Sequence, residues 1–490
     1  MGSSTLPYSL WELKEKAETK IALIDRKEGV SCTYRDLYLL AEKVAYFLKK
    51  EGYSENSRIG VYGGNSLYWA IVREGVLLLG GTFFSIPATL TLWEVERVIS
   101  TLSPDFVFYD PSLPVPNSPS LPWDAIETFP SPPSSQEWKK GEEGIDILLT
   151  SGSSSRPRGV LRPRLRYGLR VKKTIDHFQL HPSSIHILPG PLSHSGPQLF
   201  YSVFRAMGGT QVIFSRFDPE ETLKEIFLKK GGTLFMVPTM WRKVVSLLKE
   251  GEILPLERAI TAGGPMDRNT RFSLLSHLPE NTLYEFYGAT ETGTITILPP
   301  PLQKKFPHTV GFPVEGVKIR IREEEGWEPP CGKIYVETPT LMAGYTEGEP
   351  DFWEGGISVG DYGYLTPEGA LVLVGRGDGT IVTGGINVHR FEVESLLREI
   401  PGVKEGIVFG VPDPEWGNRM VALLELSSPV PLSASYIRSY LKERLAPYKV
   451  PKEFRVVDTL PRTYSEKLRY IPGELQNLWE KGKPLSENLP

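Results

Sequence analysis

The chain has 490 residues, more than one ordinary hydrophobic core sustains, so two to four structural units are expected at roughly 100–200 residues each. It is 40% hydrophobic and 23% charged, and 55 Lys+Arg against 59 Asp+Glu leave a net charge of −4, which argues against a nucleic-acid or membrane-surface protein. The two cysteines, Cys32 and Cys331, exclude a disulfide scaffold and a cysteine-built zinc or iron–sulfur site, and they fit a reducing, cytoplasmic setting.

No apolar run approaches the roughly 18 residues of a membrane span; the best, around Val76 to Pro87, is cut by Gly80 and Gly81. The first seven residues lack the basic-then-apolar pattern of a secretory signal. Thr33 opens a helix whose apolar face is Leu37, Leu40, Ala41, Val44, Phe47 and Leu48. A buried strand follows at Arg58–Tyr62, a helix at Leu67–Leu79 and a strand at Phe106–Tyr109. This alternation predicts a parallel sheet covered by helices. Prolines recur from Pro111 to Pro133, which predicts a surface connector that continues through Ser134–Gly144.

Further strands are expected at Asp146–Thr150, Ile185–Leu188, Thr210–Phe214 and Leu234–Val237, with helices at Pro219–Lys230 and Met240–Lys249. After about Gly311 the pattern changes. Val317–Ile321 and Gly332–Val336 alternate polar and apolar residues, as strands of a small antiparallel sheet with one wet face do. Gly375-Arg376-Gly377-Asp378-Gly379 reads as a hinge, dividing a domain of 1–376 from one of 377–490. Helices near Leu432–Leu445 and Ile471–Lys481 belong to the latter.

Five segments can carry chemistry. Thr150-Ser151-Gly152-Ser153-Ser154-Ser155-Arg156-Pro157-Arg158-Gly159 puts hydroxyls, glycines and guanidiniums on one loop after a strand; such donors suit polyphosphate, and the alternative is a solvent loop. It is not a Walker loop. In Tyr287-Gly288-Ala289-Thr290-Glu291 an aromatic face can stack on a purine and the carboxylate can hold Mg²⁺; the alternative is a strand-end turn. Asp361, between Gly360 and Tyr362-Gly363, can accept from ribose hydroxyls or simply sit in a β-turn. The hinge and its continuation supply Arg376, the pair Gly384-Gly385, and Glu392 and Glu394, which read as solvated charges near a helix start. Last is Pro461–Lys467, where a lysine alone would be no more than a solvated charge.

Two histidine features carry less. His177 and His181 lack the acidic partner of a His-Glu-x-x-His metal site. Ser193-His194-Ser195-Gly196 lacks the Gly-x-Ser-x-Gly elbow of a hydrolase.

Taken in order, the five segments resemble the motifs of the adenylate-forming superfamily, which includes acyl- and aryl-CoA synthetases and peptide-synthetase adenylation domains. Thr33–Leu37, Gly332–Tyr345 and Leu445–Pro451 add weaker matches, and the resemblance covers nearly the whole chain. It implies an α/β fold: a large N-terminal domain of α/β subdomains with a small β-barrel-like subdomain, and a small mobile α+β C-terminal domain hinged at Asp378. It implies ATP, Mg²⁺ and CoA as cofactors and a carboxylic acid, fatty or aryl, as substrate. Thr150 and Ser151 to Gly159 would close on phosphates. Tyr287 and Gly288 would meet adenine, with Gly263 and Gly264 lining its pocket. Thr290 would hold a phosphate and Glu291 the metal. Asp361 and Arg376 would grip the ribose. Lys467 would bridge the acid and the α-phosphate, and Gly384-Gly385 would face the pantetheine thiol.

His194, in Pro191–Gly196, matches a CoA-synthetase segment at the mouth of the acyl pocket. No aspartate stands there to pair with an amino group, which disfavours an amino-acid substrate. Leu199, Phe200, Val203, Phe204, Met236, Val237 and Met240 either line that pocket or, for most of them, pack the core. Three departures stand out: Ser155 replaces a glycine, Arg158 a lysine and Glu466 a glycine of the family pattern. They keep two alternatives open, a ligase loading a carrier-protein pantetheine and a nucleotide-binding relative without turnover. A homodimer also stays open.

Overall fold

The computed structural model describes residues 8–138, 145–150, 158–163, 167–264, 266, 268–323, 332–376, 379–427, 432–461, 470 and 472–487. The chain divides into two compact units. Among the described residues, the first takes those within 8–88, 102–150 and 158–375; the second takes Thr89–Thr101 together with those from Arg376 onward.

Two sheets build most of the first unit. Counted over the described residues, one has nine strands and the other seven. In the nine-stranded sheet Leu283–Ala289, Leu256–Thr261, Gly232–Met236, Ile185–Leu188, Thr210–Ile213 and Ile21–Asp25 run parallel, with antiparallel strands at both edges. The seven-stranded sheet centres on Arg58–Gly63, flanked in parallel by Thr82–Pro87 and Phe106–Tyr109. Between the sheets lie helices Tyr34–Lys50 and Leu67–Leu79. Thr33 caps the first of these, its hydroxyl accepting from the Asp36 N–H while the Asp36 carboxylate accepts from the Thr33 N–H. The second is buried from Trp69 to Leu79 and ends at Gly80, whose φ of 81° suits glycine. It carries Arg73, paired with Glu74 at 2.9 Å and with Asp146 at 3.0 Å.

The proline-rich connector does more than cross the surface. Ser120–Pro122 adds an edge strand parallel to Phe106–Tyr109, where proline withholds no ladder donor from a further strand. Trp123, Ile126 and Phe129 then turn into the core, with Phe129 stacked on Phe47 at 4.1 Å. The alternating segments after Gly311 form the expected antiparallel sheet. Lys318–Glu323 pairs with Gly332–Glu337, which also pairs with Gly356–Ser358 and Asp361–Leu365.

In the second unit Val403–Asp413 and Gly417–Leu426 form a long antiparallel pair, extended by Glu453–Val456 and Lys483–Pro484. Helices Arg390–Glu399 and Ala434–Lys442 pack on the face carrying Val408, Ala422 and Leu424. Pro472–Lys481 packs on the face carrying Ile407, Phe409 and Leu423. This alternation is the period-2 geometry of a strand buried on both sides.

Glu392 and Glu394 are buried rather than solvated, which corrects the sequence reading. Lys449 reaches Glu94 at 2.7 Å and Glu392 at 3.0 Å. Burial pushes the Lys449 ammonium down, but the carboxylates of Glu392 and Glu94 outweigh it and hold its pKa raised. Their spacing along the chain carried no sign of this, because Lys449 and Glu94 lie far away in sequence.

Candidate active site

The site is built on the strand Leu283–Ala289 and its return Gly293–Leu298. A register shift falls between Tyr287 and Gly288. A Cβ on Gly288 would lie 2.3 Å from the Gly293 carbonyl oxygen, so only glycine passes there. The turn between the strands, Thr290-Glu291-Thr292, is buried and tied down from outside. The Glu291 carbonyl accepts from the Met342 N–H at 2.8 Å and from Arg162 Nη1 at 3.2 Å, and Arg162 also donates to the Thr340 carbonyl at 2.7 Å. Thr340 Oγ1 donates to the Thr292 carbonyl at 2.7 Å. A turn held this way presents its side chains in one orientation.

Tyr287 and Asp361 meet: the phenol donates to Asp361 Oδ2 at 2.5 Å, and both residues are buried. The Tyr287 ring also packs with Ile295, Ile334, Val336 and Leu371. Glu291 Oε1 accepts from the Tyr345 hydroxyl at 3.0 Å, and the Arg158 guanidinium lies 4.5 Å from the centre of the Tyr345 ring. Burial, then the Glu291 carboxylate, raises the Tyr345 phenol, which stays a neutral donor. Thr150 Oγ1 contacts the Arg158 carbonyl at 3.4 Å, where the strands Ile145–Thr150 and Arg158–Pro163 pair. Thus Tyr287, Gly288, Thr290, Glu291 and Asp361 gather around one turn, with Arg158 and Thr150 joined to it through Tyr345.

Gly263 and Gly264 follow the strand Leu256–Thr261, and His194 follows Ile185–Leu188. Both strands run parallel to Leu283–Ala289, so these residues stand beyond the carboxyl ends of the same sheet, where open α/β sheets bind ligands. His194 is the residue before helix Ser195–Met207 and is partly buried; desolvation lowers its pKa and keeps the imidazole neutral near pH 7. Leu199, Phe200, Val203 and Phe204 pack the core with Phe235 and Phe286, and Met236 packs a neighbouring core, as expected for most of these apolar residues.

Gly384 and Gly385 lie in the second unit, at the turn of a hairpin between Thr380–Thr383 and Ile386–His389. Their φ values of 58° and 78° are those a two-residue hairpin turn demands, so both glycines have a local reason to be there. Arg376 ends the strand Leu371–Arg376. Ser151, Gly152, Ser153, Ser154, Asp378 and Lys467 lie outside the described residues. Sequence reasoning gave no role to Tyr345, Arg162 or Thr340. The one signal was that Arg158 and Arg162 share strand parity; the partners themselves come from a segment some 180 residues away in the chain.

Among the described residues no group of three or more His, Cys, Asp or Glu side chains can hold a metal ion. A lone buried carboxylate at Glu291 still fits Mg²⁺ of the kind that takes one protein carboxylate and completes its shell with phosphate oxygens and water.

The chain is similar to known proteins along most of its length. Residues 10–346 match the AMP-binding enzyme family and residues 392–467 the AMP-binding enzyme C-terminal domain. The chain is 30% identical over 484 residues to 2-succinylbenzoate–CoA ligase of Bacillus licheniformis, covering 93% of this chain and 97% of that one. It is 28% identical over 479 residues to the uncharacterized acyl–CoA ligase YhfT of Bacillus subtilis, covering 95% and 96%. Among solved structures, a double mutant of o-succinylbenzoate CoA synthetase from Bacillus subtilis, bound with a product analogue, matches with a TM-score of 0.87 at 26% identity over 98% of this chain and 99% of that one. The chain belongs to the AMP-binding enzyme family, within the adenylate-forming superfamily. It is an enzyme of the acid–thiol ligase class.

Proposed function

We propose that the enzyme activates a carboxylic acid, fatty or aryl, with ATP and transfers the acyl group to CoA. In the first step a carboxylate oxygen attacks the α-phosphorus of ATP; the bond to the β-phosphate oxygen breaks, leaving acyl-adenylate and pyrophosphate. In the second, the CoA sulfur attacks the acyl carbon and AMP leaves. Both reactants of the first step are anions, so the protein's task is to offset charge where it concentrates.

Tyr287 takes the adenine, with Gly263 and Gly264 beside it, and Asp361 and Arg376 take the ribose. Thr150, the Ser151–Ser154 donors, Arg158 and Thr290 take the phosphates. Lys467 supplies positive charge to the acid and the α-phosphate. His194, neutral, stands by the acyl group without adding charge. Gly384-Gly385 serves the thiol step. Mg²⁺ held by Glu291 would act as a Lewis acid on phosphate oxygens.

The observation that supports this best is the joining of Tyr287 to Asp361 beside the buried Glu291 turn, beyond the carboxyl ends of a parallel sheet. A base-stacking ring and a hydroxyl-accepting carboxylate set side by side suit a nucleoside. A panel of acids of graded length, with aryl acids and 2-succinylbenzoate included, scored for AMP release and thioester with and without CoA, tests it. Acid-dependent AMP with thioester only when CoA is present is expected. Thioester formed only on a carrier protein would replace CoA as acceptor, and no AMP from any acid would refute turnover.

A further inference from the structure

Two buried glutamates of the second unit act on the two ends of one short segment. Glu394, on helix Arg390–Glu399, is 0% exposed. Its Oε1 accepts from the Val408 N–H at 2.8 Å and its Oε2 from the Tyr470 hydroxyl at 2.9 Å. Arg390, one turn earlier on the same helix, places its guanidinium 3.5 Å from the centre of the Tyr470 ring. Glu425, on strand Gly417–Leu426, is 4% exposed. Its Oε2 accepts from the Leu460 N–H at 3.1 Å, and its Oε1 pairs with Lys404 at 2.5 Å. Leu460 and Tyr470 pack into one core with Leu475 and Trp479. Between those two anchors the sequence runs from Pro461 to Arg469 and contains Lys467.

A buried carboxylate is a poor way to add stability, since desolvation offsets most of what its bonds return. Its value is directional, because it fixes a named donor at one place. Here two carboxylates are committed to the backbone N–H just before the segment and to the side chain just after it. From this placement we infer that Glu394, through Tyr470, and Glu425, through Leu460, are positioning residues for Lys467 in the adenylation step. The inference rests on the role of Lys467 proposed above. It concerns residues that touch neither acid nor nucleotide.

Burial raises Glu394 to about 7, against the lowering effects of the Val408 N–H, Arg390, Tyr470 and Arg398; Glu405 is a further carboxylate acting on Tyr470. The link to Tyr470 survives in either protonation state. The phenol donates to the carboxylate, or turns and accepts from the acid. A glutamine can do the same, accepting from Val408 through its oxygen and donating to the Tyr470 oxygen through its amide.

The test uses the full chain, with Lys467→Ala, Tyr470→Phe, Glu394→Ala and Glu394→Gln. Two half-reactions are read separately: acid-dependent pyrophosphate–ATP exchange, and thioester formation from CoA and the preformed adenylate of the best acid in the panel. Tyr470→Phe and Glu394→Ala should lower exchange by about tenfold to hundredfold while thioester formation changes less than about twofold, since misplacing a reacting group by an ångström has costs of that size. Glu394→Gln should recover most of the exchange. Melting curves show whether the unit stays folded. Parallel loss in both half-reactions, or no recovery with glutamine, would overturn the inference in favour of a purely structural role. Loss of exchange in Lys467→Ala with Tyr470→Phe unaffected would overturn the inference alone. Full exchange in Lys467→Ala would overturn the role of Lys467 and this inference with it.

Discussion

Both units bury carboxylates, and in the first unit Glu74 and Asp146 are tied to Arg73 while the two at the candidate site have other partners. At that site Glu291 and Asp361 are buried at a turn and a strand start, and each accepts from a phenol, that of Tyr345 and that of Tyr287. A phenol is a neutral donor, unlike the ammonium of a lysine. In the second unit, Glu392, Glu394 and Glu425 meet two lysines, backbone N–H groups and a tyrosine hydroxyl, and tie segments of the unit together. A buried carboxylate therefore does not by itself mark a ligand site. In the proposed function what separates the two cases is place: Glu291 follows the carboxyl end of Leu283–Ala289, and Asp361 accepts from Tyr287 near that end.

The largest effect expected from this contrast is at Glu291. Glu291→Ala should lower acid-dependent pyrophosphate exchange by about 10²–10³-fold, the usual cost of losing one group that offsets transition-state charge, with little change in melting temperature. The reverse pattern is expected at Lys449. Lys449→Met leaves Glu94 and Glu392 without their cation and should cost about 3–5 kcal/mol, read as a lower denaturant midpoint. Tyr287→Phe keeps the ring but removes the bond to Asp361; it should raise KM for ATP about tenfold, one charge-assisted hydrogen bond, with kcat less affected. If Tyr287→Phe instead unfolded the protein, the first unit's carboxylates would be structural like those of the second.

The smallest effect is in pH. Glu394 is raised from 4.5 to about 7, chiefly by burial. The native state therefore holds a proton that the unfolded chain releases between those values. The stabilisation is complete below the unfolded value and is lost as pH rises through the folded one. Midpoints measured from pH 4 to 8 should fall less steeply in Glu394→Gln than in the parent chain.

Much of this was legible in the sequence. The βαβ alternation announced the parallel sheets, and the alternating strands after Gly311 announced the antiparallel one, because both patterns are local. The Tyr287–Glu291 and Asp361 segments were legible as candidates for nucleotide contact from their residue types and order, and the structure brings Tyr287 and Asp361 together. What stayed hidden depends on distant partners. Tyr345 and Arg162 matter through what they touch across the sheet. Trp123 is buried because Ser120–Pro122 finds a strand to pair with, which proline content alone argued against. Glu392 looked solvated until Lys449 and the segment around Glu94 were seen beside it. The grouping of 89–101 with the second unit, likewise, had no signal at a boundary drawn near Arg376.

The most direct measurement follows an oxygen atom. With the acid labelled with oxygen-18 in its carboxylate, turnover with CoA should deliver one labelled oxygen to the phosphate of AMP, because that oxygen forms the bond to the α-phosphorus and stays when the thiol takes the acyl group. Unlabelled AMP, or label found in pyrophosphate or inorganic phosphate, would contradict carboxylate attack at the α-phosphorus.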